Sequence, residues 1–170
     1  MAKSKISKLS ILTEFDVYNS VKDLDKKDAE LLLAAQKMVK TAHAPYSEFH
    51  VGAAVLLENG KIVTGNNQEN AAYPSGLCAE RVAVFAASAH HPGVKFKAIA
   101  VAAFAGKNTS PVAVSPCGSC RQVMTEYEHL FGNDIRFIMQ GEGEKIIVLK
   151  NVKSLLPFTF TAEQLSESNK

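Results

Sequence analysis

From Cys78 to Ala89 the chain is apolar almost all the way round a helical wheel, with Glu80, Arg81 and Ser88 the main exceptions. A helix of this kind has little surface suited to water, and the pattern predicts one buried between other layers of structure. The flanking sequence says what those layers are. Upstream, Leu31, Leu32, Ala35, Met38, Val39 and Ala42 recur at three- and four-residue spacing behind the capping residue Asp25, which predicts an amphipathic helix ending before Pro45. Val51 to Leu57 and Lys61 to Gly65 flank Glu58-Asn59-Gly60, and an Asn-Gly pair between apolar runs predicts a hairpin of two antiparallel strands. Downstream, Phe96 to Phe104 reads as a buried strand. Cys120, Val123, Met124, Tyr127, Leu130 and Phe131 make a helix face closed by Gly132-Asn133, and Ile135 to Met139 and Lys145 to Leu149 read as further strands. This order predicts a single α/β layered domain with a five-stranded mixed sheet.

Composition excludes several classes of function. The chain has 170 residues, 46% of them hydrophobic and 21% charged, enough for one packed core and short for two. Its 19 Lys and Arg against 17 Asp and Glu leave a formal charge of +2, too balanced for a surface that gathers the phosphates of a nucleic acid. No apolar run approaches the roughly 18 residues that span a bilayer. Met1 to Ser10 lacks the apolar stretch and cleavage site of a secretory signal, so a cytoplasmic protein with no membrane partner is expected. Residues 1–24 show no strong periodicity and read as a loosely attached arm, residues 25–162 as the domain, and residues 163–170 as a polar tail.

The chemistry lies with three cysteines, an odd number that cannot be fully paired in disulfides. Cys78, Cys117 and Cys120 all fall at predicted helix starts, where the positive end of a helix favours thiolate. Cys117-x-x-Cys120 alone could be a redox dithiol, and Cys78 alone a small core residue. Two helix starts meeting at one point would instead deliver three thiolates to one zinc ion and leave its fourth position for a water molecule to be activated there. Glu80, in the first turn of the apolar helix, is costly without a partner. Beside such a water it would act as general acid and base; otherwise it merely complements the helix dipole. Arg81 would offset the negative charge of the thiolates, or else form a surface ion pair.

Cys78-Ala79-Glu80 followed by Pro116-Cys117-x-x-Cys120 resembles the zinc-dependent cytidine deaminase superfamily. Phe49-His50-Val51-Gly52-Ala53-Ala54, Asn67 to Tyr73, Cys120-Arg121-Gln122 and Leu155-Leu156-Pro157 through Phe160 are similar to its small homotetrameric nucleoside branch, over roughly residues 25 to 162. The resemblance implies a three-layer α/β/α sandwich and one zinc ion per chain, bound by Cys78, Cys117 and Cys120, with Glu80 shuttling the proton. It assigns Asn67 and Glu69 to the ribose 3′-hydroxyl, Phe49 to the pyrimidine, and the Ala79 N–H and Ala71 carbonyl to the base edges. Phe160 would reach across a subunit interface to stack on the base in a neighbour's site. Hairpin-end capping for Asn67 and Glu69, plain strand core for Phe49, and a tail packed on its own subunit for Phe160 are the alternatives.

The implied reaction converts cytidine or deoxycytidine and water to uridine or deoxyuridine and ammonia, a step of pyrimidine salvage. The rivals are a deaminase of another cytosine nucleoside, such as blasticidin S, and a non-enzymatic zinc-binding module. His43, His50, His90, His91 and His129 match no ligand position in this branch. Tyr73-Pro74-Ser75-Gly76-Leu77 departs from the commoner family wording, which leaves the pocket wall there open.

Overall fold

Alternate residues of two long strands, β2 (Phe49–Leu57) and β4 (Phe96–Ala105), face opposite ways and feed two separate cores. The computed structural model describes residues 6–105 and 111–167; the ends of the expected arm and tail, residues 1–5 and 168–170, lie outside the described residues. Val51, Ala53, Val55 and Leu57 join Ile99, Val101 and Ala103 in the core beneath α2 (Ala79–His90) and α3 (Gly118–Phe131). Ala54, Ala98, Ala100 and Ala102 form the floor of the other, beneath α1 (Lys26–Val39). The run of alanines lets α1 lie close to the sheet. At Gly52 the approach is so tight that a Cβ would stand 2.0 Å from the Ala35 carbonyl oxygen. The result is the expected three-layer α/β/α sandwich.

The remaining strands are β1 (Asp16–Tyr18), β3 (Ile62–Asn66), β5 (Pro111–Val112), β6 (Arg136–Gln140) and β7 (Ile146–Leu149), and the sheet runs β1-β7-β6-β4-β2-β3 with β5 paired to β4. β4 and β6 are parallel and the other pairs antiparallel, so the sheet is mixed. The crossover that parallel neighbours require contains α3. Local signals act as read: Asp25 accepts the Asp28 N–H at 3.0 Å, Gly60 turns the hairpin at φ +82°, and Gly132 closes α3 at φ +62°.

Three expectations need correction. Among the described residues the sheet has seven strands rather than five, because β1 and β5, of three and two residues, are too short to leave a periodicity. Residues 16–24 are not loose: β1 pairs with β7, and Tyr18, Val21 and Leu24 pack on the α1 side of the sheet. The helix from Cys78 is covered on one side only. Phe85 stands 42% exposed, and an apolar groove between α2 and α3 is lined by Phe85, Val123, Tyr127 and Leu130. At the C-terminus, a short helix, α4 (Ala162–Glu167), occupies the start of the predicted tail. Among the described residues no helix is long and apolar enough to cross a membrane.

Candidate active site

Two helices begin at one point. Cys78 is the N-cap of α2, Cys117 is the N-cap of α3, and Cys120 lies in the first turn of α3. Neither N-cap cysteine uses its sulfur to cap the backbone of its own helix, which leaves the sulfurs free to converge. Cys78 Sγ stands 3.8 Å from Cys117 Sγ, Cys117 Sγ stands 3.5 Å from Cys120 Sγ, and all three lie within 4.8 Å of one another. Thiolates about 2.3 Å from a tetrahedral zinc are about 3.8 Å apart, so the cluster fits a zinc ion without rearrangement. Arg121 steadies the loop before Cys117, its Nε donating to the Pro116 carbonyl at 2.8 Å.

The electrostatics of the cluster point the same way. Hydrogen bonding from the Cys120 thiol, aided by Arg81 and Cys117 and opposed by burial, draws the Cys78 thiol down to about 5. Cys120 is pushed up, chiefly by that same bond and then by burial. Opposite shifts on neighbouring sulfurs are the mark of groups close enough to compete for one proton, and metal binding to such thiols displaces protons. Arg81 Nη2 donates to Cys78 Sγ at 3.8 Å, while its buried Nε has no hydrogen-bond partner among the described residues. Glu80 is only 4% exposed, and burial, followed by the charge of Cys78, raises its carboxyl above the ordinary range. A buried acid with raised proton affinity beside a thiolate cluster is equipped to take and return a proton.

Next to the cluster lies a cleft of about 240 Å³ lined by Asn67, Glu69, Tyr73, Leu77, Cys78 and Arg81 among others. Asn67 and Glu69 thus share one wall, yet each is already engaged. Asn67 clamps β2, its Oδ1 accepting from Val51 N at 2.8 Å and its Nδ2 donating to the Phe49 carbonyl at 2.9 Å. Glu69 accepts from the Tyr46 and Ser47 N–H groups, at 2.9 and 3.3 Å, and from the Ser47 hydroxyl. These bonds, the hydroxyl's first, hold its carboxyl below the usual value of 4.5. Ala79 is fully buried at the first helical position, where its N–H has no partner within the helix. Phe49 is half-buried against the α2–α3 core, Ala71 is exposed, and Phe160 is 56% exposed; none of the three lines this cleft.

Residues 25–130 match the model of the cytidine and deoxycytidylate deaminase zinc-binding region. The chain belongs to this family. It is 43% identical over 141 residues to a cytidine deaminase of Sporosarcina psychrophila, covering 82% of this chain and 96% of that one. The crystal structure of a cytidine deaminase from Burkholderia pseudomallei superposes with a TM-score of 0.64 at 39% identity, over 77% of this chain and 97% of that one. A blasticidin-S deaminase of Bacillus cereus is more distant, 26% identical over 82% of this chain and 96% of its own.

Within this family framework the segment that departs from the common wording has a definite shape. Tyr73–Ser75 form one turn of 3₁₀ helix, and Leu77 then exchanges two backbone hydrogen bonds of 2.9 Å with Gln68, so Tyr73, Gly76 and Leu77 become a wall of the cleft. Tyr46 meets Tyr73 edge to face, with ring centroids 6.0 Å apart. Tyr46 and Ser47, which fix Glu69, escaped the sequence reading. The bond from Ser47 spans 22 positions, and only a neighbouring Pro45, marking a turn, hinted at structure there.

Proposed function

We propose that the chain catalyses hydrolytic deamination of cytidine and deoxycytidine, giving uridine and deoxyuridine with release of ammonia, in pyrimidine salvage. The observation that carries this reading is Glu80: a carboxylate 4% exposed, two residues from one cysteine of a cluster with room for a zinc ion. A module that merely held zinc would have no use for an acid buried at such cost.

Cys78, Cys117 and Cys120 are the ligands of one zinc ion per chain, which when bound supplies Lewis-acid activation of a water molecule. Glu80 receives one proton of that water as the water oxygen adds to C4 of the base and delivers it to N3; it then passes the remaining hydroxyl proton to the amino group, whose bond to C4 breaks to release ammonia. Its raised proton affinity suits a group that must both take and give. Arg81, donating to Cys78 Sγ, offsets the charge of the thiolates. The free N–H of Ala79 and the carbonyl of Ala71 read the edges of the base, and Phe49 packs on it.

Asn67 and Glu69 take the ribose 3′-hydroxyl with the capacity their present bonds leave over: the second N–H of the Asn67 amide and the remaining lone pairs of the Glu69 carboxylate. Phe160 stacks on the base in a neighbouring chain of a homotetramer. Supporting assembly are the apolar groove between α2 and α3 and the exposure of Phe158, at 89%, and Phe160. The three free thiols suit the reducing cytoplasm.

The test is loss of cytidine absorbance with purified zinc-loaded protein, run in parallel with blasticidin S. Turnover of cytidine and deoxycytidine is expected. Turnover of blasticidin S alone would transfer the reading to that substrate, and retention of zinc with neither activity would leave only a zinc-binding module.

A further inference from the structure

The C-terminal segment carrying Phe160 is fastened to the helix that carries two of the cysteines. Glu128, buried on α3, accepts the backbone N–H groups of Val152 and Lys153 at 2.9 and 3.2 Å. One face further toward the cysteines, Arg121 Nη1 donates to the Leu155 carbonyl at 3.0 Å. Gln122 completes the series in a different way. Its Nε2 donates to the Phe160 carbonyl at 2.7 Å, and its Oε1 accepts the Phe160 N–H at 3.2 Å. One amide thus holds both polar groups of a single residue's backbone, as a neighbouring strand would, and this fixes the direction in which the ring leaves the chain.

Phe160 has little else to hold it. Its ring makes no aromatic pair among the described residues and stands 56% exposed. Gln122 lies two positions past Cys120, in the opening turns of α3. The backbone of Phe160 is therefore fixed to the rigid body of its own chain through the opening turns of α3, rather than through the irregular chain that follows Leu155, and this sets where the ring is presented to a neighbour.

We infer that Gln122 is a positioning residue for substrate use: its two-point clamp on the Phe160 backbone presents the ring at the place and angle at which it stacks on a nucleoside base. The inference rests on the stacking role proposed above for Phe160. It concerns a side chain that touches neither the zinc ligands nor the cleft beside them.

The experiment compares full-length zinc-loaded wild type, Gln122→Met, Phe160→Ala and the double variant, because Met keeps the length of Gln and loses both hydrogen bonds. Zinc content and Tm of Gln122→Met should match wild type. Its kcat/KM for cytidine should fall about 3- to 30-fold, mainly through KM, short of the loss from removing the ring itself. In the Phe160→Ala background the same substitution should cost nothing further. Chymotrypsin, followed by mass spectrometry, should cut after Phe158 and Phe160 faster in Gln122→Met.

Unchanged cleavage together with unchanged kinetics would overturn the inference. So would a loss in kcat/KM that persists in full when Phe160 is already Ala, since Gln122 would then act on its own account. Faster cleavage in Gln122→Met with Phe160→Ala kinetically silent would instead defeat the stacking role and the positioning role that rests on it, while the clamp itself would stand.

Discussion

Gly65 of β3 lies directly beneath Ala83 of α2, so close that a Cβ on Gly65 would come within 2.5 Å of the Ala83 nitrogen and 3.0 Å of the Ala79 carbonyl oxygen. The helix whose first residues include Glu80 and Arg81 therefore rests on bare backbone. Its height above the sheet sets where the N-terminus, and Cys78 with it, comes to lie relative to α3.

Gly65→Ala tests that relationship. Both obstructing atoms belong to the helix backbone, which cannot swing aside as a side chain would, so the cost is that of overpacking, about 1 to 3 kcal/mol. For a chain of this size that corresponds to a Tm lower by roughly 2 to 10 °C. Zinc should also be lost at a lower chelator concentration as Cys78 is lifted away from Cys117. An unchanged melting curve and chelator profile would show that the helix does not need this approach.

Metal analysis should return about one zinc per chain, the complement of a three-thiolate site. Removal by a chelator should abolish turnover and lower Tm, because ligands that bind only the folded state stabilise it. Cys117→Ser should reduce zinc retention in the same way. Full activity in protein stripped to near-zero zinc would end the metal assignment.

Glu80→Gln should keep the zinc and the fold while losing about 10²- to 10⁴-fold in kcat, the usual range for a general acid and base. The amide fills the same buried space and cannot carry the proton. Retention of more than about half of wild-type turnover would exclude Glu80 as the shuttle.

The helices, the hairpin and the convergence of the cysteines were legible because each is written locally. Asp25, Asn59-Gly60 and Gly132 act over a few residues, and a cysteine at a helix start is placed by that helix. What the pattern could not reveal depends on partners far apart in the chain. β1 exists only because β7 offers an edge, and Asn67 turns out to be a clamp on β2 because Phe49 and Val51 lie opposite it. The apolar wheel of α2 predicts burial within the chain, yet Phe85 stands exposed. Hydrophobicity reports that a side chain is to be covered; it does not say by which molecule.

The Ser47 hydroxyl is the leading cause of the lowered carboxyl of Glu69. Ser47→Ala should therefore move the Glu69 midpoint upward toward 4.5, read by carboxyl ¹³C NMR. Because the folded-state value is depressed, the stabilisation from this bond is fully present above 4.5 and is lost as pH falls through the folded-state midpoint. The difference in stability between wild type and variant should shrink over that acid range. A midpoint that does not move would separate Ser47 from Glu69.

Sharing of sites between subunits is decided by complementation. Base stacking on an aromatic side chain is worth about 1 to 3 kcal/mol, so Phe160→Ala should lower kcat/KM about 5- to 150-fold whichever chain's site the ring serves. Chains carrying Glu80→Gln fail for a different reason, having lost the proton shuttle while keeping Phe160. In a mixed oligomer such a chain can lend its ring to a neighbour whose Glu80 and cysteines are intact, so co-assembly of the two variants should recover turnover at low cytidine that neither shows alone. Mass measurement of the mixtures establishes that hetero-oligomers have formed. If verified hetero-oligomers behave as the average of their parents, or if the protein is monomeric at assay concentration, Phe160 serves no neighbour.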